Sequence, residues 1–183
     1  VTGVCPDGDS SSSTWSFNIW VKLVGTDNDA FLSSGTSSGD RVSFSYNAST
    51  DDFGYIEFGA ASGAGAFNIV DGAYDVTSDG DWHMLTYVKD GTGWSHYHNG
   101  VARGTHTQSS GFMSAARAAD TWYIGQQISN VGESWDGLID ETTFWSVAID
   151  ADDVTALYNS GNGIAFTSGS FPETANVIAH YDF

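Results

Sequence analysis

Hydrophobic residues occupy every second position in several short segments of this chain. The longest segment carries two alternating sets of side chains: Trp15, Phe17, Ile19, Val21 and Leu23 on one face, and Ser16, Asn18, Trp20 and Lys22 on the other. Val42, Phe44 and Tyr46 repeat the alternation. Since successive side chains of a strand point to opposite faces, this spacing predicts β-strands with one face in the core.

Further strand-like segments follow along the chain, and turn residues separate them. They are predicted near 54–59, 67–70, 84–89, 94–98, 121–125, 137–146 and 176–183. The sequence between them carries no helical period, which excludes parallel α/β units. An all-β sandwich or barrel is therefore predicted, with the whole chain, 1–183, as a single domain.

One short helix is predicted near 150–160. Asp150 can cap its first turn, and Val154, Leu157 and Tyr158 share one face at spacings of three and four. Gly161 can adopt the left-handed conformation that ends a helix. The predicted fold class is therefore all-β with one short helix.

The chain is strongly acidic, with 23 Asp and Glu against 5 Lys and Arg and a formal net charge of -18. Nucleic acids and anionic membranes recruit basic surfaces, so the charge argues against both as partners. No segment approaches the roughly 18 apolar residues that a membrane span needs. Many of the Asp residues lie in Gly-, Ser- and Asn-rich turns, where short carboxylates suit Ca²⁺ and also keep a protein in solution.

A series of short strings along the chain carries a family resemblance. The strings are Trp15–Leu23, Asp81–Tyr87, Asn99–Val101, Ile124–Gln126, Gly137–Glu141 and Leu157–Gly161. Their order and spacing resemble the laminin G-like and pentraxin-like branch of the concanavalin A-like lectins and glucanases. The resemblance implies a two-sheet antiparallel jelly-roll sandwich, in which the segment 175–183 completes a sheet.

The resemblance also implies a calcium site in loops at the edge of one sheet. The residues that match the ligands of such relatives are Asp40, Gln126, Gln127, Asn130 and Glu133. Together with carbonyl oxygens of the loops, these side chains bring the number of oxygen ligands close to the about six to eight that Ca²⁺ prefers. Amides stand where relatives carry acids, which favours one ion over two. The loops 27–29 and 51–52 are alternative cation sites.

A sugar-binding surface needs an exposed aromatic ring for the apolar face of a pyranose and fixed polar groups for its hydroxyls. Trp135, with Asp136 beside it in the predicted metal loop, is the first candidate, and Trp94 and Trp20 are weaker ones. Trp82 and Trp145 lie in the family strings and are expected in the core.

Histidine and cysteine side chains offer further candidates. His96 and His98 are spaced by two and share one face of a strand, where a hydrogen-bonded pair is expected in preference to a zinc site. His83 is expected to be structural. Cys5 is the only cysteine, which excludes an internal disulfide.

These features lead to one functional hypothesis and two alternatives. The leading hypothesis is a non-catalytic, calcium-assisted carbohydrate-binding module of a larger extracellular protein, such as an adhesin or attachment protein, whose partner is a cell-surface glycan. A glycan hydrolase or lyase is the first alternative, with Glu57, Asp140 and Glu141 as its only acids, although neighbours in a strand point to opposite faces. A metal-independent protein-interaction domain is the second.

Overall fold

The computed structural model describes residues 14–27, 29–37, 40–58, 67–68, 80–91, 93–107, 121–127 and 134–183. At 35–37, 40–42, 54–58, 67–68 and 106–107 it describes the backbone alone. Three candidate residues named above lie outside the described ones, Cys5, Asn130 and Glu133, and so do position 28 of the loop 27–29 and positions 59, 69 and 70 of the predicted strands.

Two antiparallel sheets make up the described structure. The strands are β1 Thr14–Leu23, β2 Ala30–Ser37, β3 Asp40–Asn47, β4 Asp52–Phe58, β5 Phe67–Asn68, β6 His83–Asp90, β7 Gly93–His98, β8 Val101–Thr107, β9 Trp122–Ile124, β10 Gly137–Trp145 and β11 Val177–Tyr181. The six-stranded sheet has the order β11-β10-β1-β6-β7-β8, and the five-stranded sheet has the order β5-β4-β3-β2-β9. This arrangement confirms the predicted all-β sandwich.

An aromatic core fills the space between the sheets. The side chains that alternation assigns to one face of β1 are all buried: Trp15, Phe17, Ile19, Val21 and Leu23. Phe17 stacks on Tyr87 of β6 with ring centroids 4.8 Å apart, and it meets Phe44 of β3 edge-on at 4.7 Å. Large rings bury much apolar area, so the contact of Phe17 with Phe44, which joins the two sheets, stabilises the sandwich.

Two strands have no counterpart in the alternation pattern. β2 contains Ser33, Ser34 and Gly35, and β8 contains Gly104, so both have the composition of loops. β2 nevertheless lies between β3 and β9, and its residue Leu32 pairs with strands on both sides. Pairing within the sheet outweighs local propensity here.

Helix α1, Ala151–Tyr158, lies between β10 and β11. The Asp150 side chain accepts hydrogen bonds from the backbone N–H groups of Asp152 and Asp153 at 2.9 Å each, which confirms the predicted cap. The left-handed stop begins at Asn159, with φ of 46°, and continues to Gly161, with φ of 89°. The helix therefore ends at Tyr158, three residues before the glycine predicted to stop it.

The helix covers the outer face of the six-stranded sheet. Val154 and Leu157 are buried in a second hydrophobic cluster with Trp20, Met84 and Trp145. This packing explains why the second face of the central strand β1 is also buried. Within the described part of the chain, no helix combines the length and the apolar character needed to cross a bilayer.

Candidate ligand-binding sites

The structure does not bring the predicted calcium residues together as one set. β2 and β3 form a hairpin in which Ser37 pairs with Asp40, whereas the backbone N–H of Gly125, after β9, donates to the Phe31 carbonyl at 2.8 Å. The six residues of strand between these points span roughly 20 Å at about 3.3 Å per residue. Asp40 therefore lies at the opposite end of β2 from Gln126, and its inclusion in the predicted site is wrong.

Gln127 follows Gln126, and its side chain lies on the outer face of the five-stranded sheet, beside Ser43 in the middle of β3. Its side chain is 2% exposed, and its amide nitrogen donates to Ser43 Oγ at 3.5 Å. Its oxygen Oε1 is buried and accepts no hydrogen bond from the described residues. Such an oxygen costs free energy unless a cation, a water or a ligand hydroxyl pairs with it. Gln126 is fixed nearby by its carbonyl, which accepts from Ser33 Oγ at 2.6 Å.

The alternative cation loops lie at the end of the five-stranded sheet where β2 begins and β3 ends. Tyr46 donates its backbone N–H to the Asp29 carbonyl at 2.9 Å and its hydroxyl to Asp51 Oδ1 at 2.6 Å. Asp52 is buried, and Asp29 Oδ2 accepts from the backbone N–H of the exposed Asp136 at 3.2 Å. Among the described residues, however, no three His, Cys, Asp or Glu form a group that could hold a metal ion.

Trp135 and Trp94 are core residues. Trp135 is 9% exposed, its Nε1–H donates to the Leu138 carbonyl at 3.1 Å, and its ring meets Phe31 edge-on at 5.8 Å. Trp94 is 3% exposed and meets Trp15 edge-on at 5.1 Å. The prediction of an exposed platform at either position is therefore wrong, because both rings point into the space between the sheets.

The buried histidines pair differently from the prediction. His98 Nε2 lies 2.9 Å from His83 Nδ1 on the neighbouring strand, while His96 stacks on Tyr87 with ring centroids 5.0 Å apart. Neither ring nitrogen of His96 has a hydrogen-bond partner among the described residues. Burial, with smaller contributions from His98 and Arg103, lowers the pKa of His96 to about 3. His96 is therefore neutral at physiological pH.

A β-bulge in β10 brings two acids to the same side of the sheet. Glu141 and Thr142 both lie opposite Ile19 of β1, and Glu141 has φ of 47°. Asp140 pairs with Trp20 immediately before the bulge. As a result, Asp140 and Glu141 line one cleft, contrary to the expectation that neighbours in a strand face opposite ways.

This cleft, on the outer face of the six-stranded sheet, has a volume of about 360 Å³. It is lined by Trp20, Trp82, Asp140, Glu141 and the segment Gly161–Ala165. All seven tryptophans lie in the described residues; Trp82 is 38% exposed, and no other exceeds 9%. The expectation that Trp82 lies in the core is therefore wrong, whereas Trp145 is fully buried as expected.

Contacts with the chain after α1 fix the wall of the cleft. Trp20 stacks on Tyr158 with ring centroids 6.0 Å apart. Gly163, with φ of 64°, lies against the same indole, and a Cβ added there would meet Trp20 at 3.6 Å. Asn159 Nδ2 donates to the Gly163 carbonyl at 2.7 Å. The left-handed backbone at Gly163 thus brings this segment close to Trp20.

The cleft is acidic. Asp140 Oδ1 accepts hydrogen bonds from the backbone N–H groups of Glu141 at 2.9 Å and Phe183 at 3.1 Å. Glu141 Oε2 lies 3.5 Å from His180 Nε2. Burial, followed by the charges of Asp140 and Asp182, raises the pKa of Glu141. Burial also lowers the pKa of His180, against the opposing effect of Asp182 and Asp140, so the imidazole does not offset the acids near neutral pH.

The sequence contains one indication of this cleft. Trp20 belongs to the second face of β1, and Trp82 precedes Met84 by two residues, so all three side chains belong to the outer face of the sheet. The bulge at Glu141 has no such indication, because a glutamate does not favour a left-handed backbone.

Comparisons with known proteins agree with this fold. Residues 3–155 match the laminin G-like family model described as the Concanavalin A-like lectin/glucanases superfamily. No curated protein sequence matches the chain.

Three similar solved structures illustrate the range of proteins with this fold. Domain 4 of AbnA, a GH43 extracellular arabinanase from Geobacillus stearothermophilus in complex with arabinotriose, is 22% identical with a TM-score of 0.62, covering 82% of this chain and 68% of that chain. The native heptameric SAP-like pentraxin from Limulus polyphemus is 19% identical with a TM-score of 0.60. The match covers 94% of this chain and 81% of the pentraxin chain. The CBM40 of the Ruminococcus gnavus IT-sialidase, bound to α2,3-sialyllactose, is 12% identical with a TM-score of 0.62. The match covers 81% of this chain and 84% of the CBM40 chain.

At these identities the structural likeness concerns the fold, and the family match covers most of the sequence. The chain belongs to the Concanavalin A-like lectin/glucanases superfamily, through its laminin G-like family.

Proposed function

We propose that this chain is a calcium-assisted carbohydrate-binding module of a longer extracellular protein, such as an adhesin or attachment protein, and that it has no catalytic activity. The superfamily includes lectins, and two of the similar structures hold an oligosaccharide. The observation on this chain that carries the proposal is the buried oxygen of Gln127, which accepts no hydrogen bond from the described residues. A bound cation or a sugar hydroxyl would supply the missing partner.

The donor chemistry around Gln127 fits calcium. Gln126 and Gln127 would hold the ion together with Asn130 and Glu133, and Glu133 would supply the carboxylate. All of these donors are oxygens, the ligand type that Ca²⁺ prefers. When bound, the ion would supply a positive charge in an acidic chain and open coordination positions for sugar hydroxyls.

A glycan array tests the proposal directly. We expect the wild-type protein to bind a subset of glycans in calcium and to lose them when a chelator is added. Gln127→Ala should lose the same glycans, because the orphaned oxygen is removed. Asp40→Ala is the matched control and should retain them, since Asp40 lies at the opposite end of β2. Equal binding with and without calcium by all three proteins would contradict the calcium part of the proposal.

One observation favours a second function, glycan hydrolysis. The bulge places Asp140 and Glu141 in the same cleft, and the raised pKa of Glu141 is a property of general acids. Asp140 Oδ1, however, already accepts two backbone hydrogen bonds, which suits a fixed acceptor for a ligand. Release of new reducing ends from array-positive glycans, abolished by Glu141→Gln, would establish hydrolysis instead of binding alone.

A further inference from the structure

We propose that the cleft on the outer face of the six-stranded sheet is a second carbohydrate site, which needs no metal and takes an uncharged pyranose ring. The proposal shares its ligand class with the proposed function but uses another surface. Gln127 belongs to the five-stranded sheet and the cleft to the six-stranded sheet, so the core of the sandwich separates the two sites. An experiment can therefore disprove either site without disproving the other.

The shape and the aromatic lining of the cleft fit a sugar ring. Its volume of about 360 Å³ lies within the range of about 300–1,000 Å³ that is typical of small-molecule sites. Trp82, which lines the cleft, is 38% exposed, whereas no other tryptophan exceeds 9%. Stacking of the apolar C–H face of a pyranose on this indole would remove that surface from water.

The polar lining supplies acceptors for hydroxyl groups. Asp140 is held by two backbone hydrogen bonds, and the side chain of Glu141 is 31% exposed beside it. Carboxylate oxygens form charge-assisted hydrogen bonds with hydroxyls, which are stronger than those between neutral groups. An indole face with carboxylates beside it is therefore complementary to a ring that has one apolar face and hydroxyls at its edge.

The charge of the cleft decides which sugars fit. Asp140, Glu141 and the nearby Asp182 would repel the carboxylates of uronic and sialic acids, and the net charge of -18 adds to this repulsion. Neutral pyranosides escape the repulsion. The selectivity should thus be for uncharged sugars over acidic ones of the same size.

The cleft is also preorganised. Trp20 is stacked on Tyr158, and the segment from Asn159 to Gly163 is fixed by a side-chain hydrogen bond and by close packing on the indole of Trp20. Binding would therefore cost little conformational entropy in these walls, which favours affinity.

The test uses the fluorescence of the full chain in the presence of a chelator. Neutral oligosaccharides are titrated alongside their uronic-acid and sialylated counterparts, and quenching by acrylamide is followed. Because Trp82 is the single exposed indole, a sugar bound in the cleft should shield most of the quenchable fluorescence. Affinity for the neutral sugar should fall about tenfold in Trp82→Ala and about threefold in Glu141→Gln, the cost of losing a stacked ring or one charged acceptor.

Two further variants make the result decisive. Val101→Ala, which truncates an exposed side chain on the far edge strand β8 of the same sheet, should bind the neutral sugar normally. Trp82→Phe keeps a smaller ring and should bind with intermediate affinity, which covers the case in which the alanine variant does not fold. Absence of chelator-resistant binding, or binding that leaves acrylamide quenching and all Trp82 variants unchanged, would overturn the second site while leaving the calcium site untouched.

Discussion

His96 is an ionisable side chain held neutral in an aromatic core. Its ring stacks on Tyr87, and no hydrogen bond from the described residues compensates its nitrogens. The folded-state pKa of about 3 lies below the ordinary value of 6.5, so the unfolded chain takes up the proton first as the pH falls. Stability is unaffected by this group above about pH 6.5 and declines between there and about pH 3.

The prediction at this scale is that His96→Phe makes the protein less sensitive to acid. Each pH unit below about 6.5 costs the wild type about 1.4 kcal/mol through this group, or about 2 kcal/mol at pH 5, and a phenylalanine keeps the stacking without titrating. Urea unfolding at pH 7.5 and pH 5 measures the difference. Ser95→Ala, on the other side of the same strand, is the control. An equal loss of stability in the wild type and His96→Phe would contradict the buried neutral state.

Single residues also mark where sequence reasoning succeeds and where it does not. The cap at Asp150 depends on its own side chain and the next three residues, so it could be predicted. The burial of Trp135 depends on Phe31, which is distant in sequence, and nothing near Trp135 indicates it. Exposure of an aromatic ring is a property of the folded surface, not of the local string.

The bulge in β10 is the element that creates the cleft. It places two residues opposite Ile19, with Glu141 in the left-handed region. For a residue with a Cβ this conformation costs roughly 1–2 kcal/mol, which the ladder on both sides of β10 offsets. Strain of this kind at a candidate site is expected when function, not stability, fixes the residue.

A pair of substitutions tests the backbone at Glu141. Both Glu141→Gly and Glu141→Ala remove the carboxylate and its contact with His180, but only glycine tolerates the positive φ. The glycine variant should therefore be more stable than the alanine variant by about 1 kcal/mol in urea unfolding. If alanine is the more stable of the two, the left-handed bulge does not exist in solution.

At the element scale the strongly alternating strands were predictable and the polar ones were not. In β1 the sequence reveals which side chains face the core, because every second residue is apolar. β2, with its serines and glycine, becomes a strand only because β3 and β9 lie on either side of it. The hairpin of β2 and β3 fixes the position of Asp40. Because the sequence pattern does not predict β2, it could not show that Asp40 and Gln126 lie at opposite ends of that strand.

The whole molecule is a sandwich with a candidate site on each outer face. A module with two separate sugar sites can bind a branched or repeating glycan more tightly than either site alone, if the spacing of the glycan permits both contacts. We expect the net charge of -18 to add a preference against acidic polysaccharides that no single residue determines.

Calcium should stabilise the fold as a whole. An ion that binds the native state adds about 2.7 kcal/mol at one hundred times its dissociation constant, which corresponds to a rise of about 5–10 °C in melting temperature for a domain of this size. Differential scanning calorimetry with calcium and with chelator measures the rise. Asp40→Ala should keep it, and Gln127→Ala should lose most of it. A rise lost in Asp40→Ala but kept in Gln127→Ala would place the ion at the other end of β2.

Carbohydrate binding itself is tested most directly by calorimetric titration of neutral oligosaccharides into the folded wild-type protein, in calcium and then in chelator. We predict saturable binding in calcium and a weaker, chelator-resistant component that Trp82→Ala removes. A correctly folded protein that shows no heat of binding with any oligosaccharide in either condition would contradict the assignment of this jelly roll as a glycan-binding module.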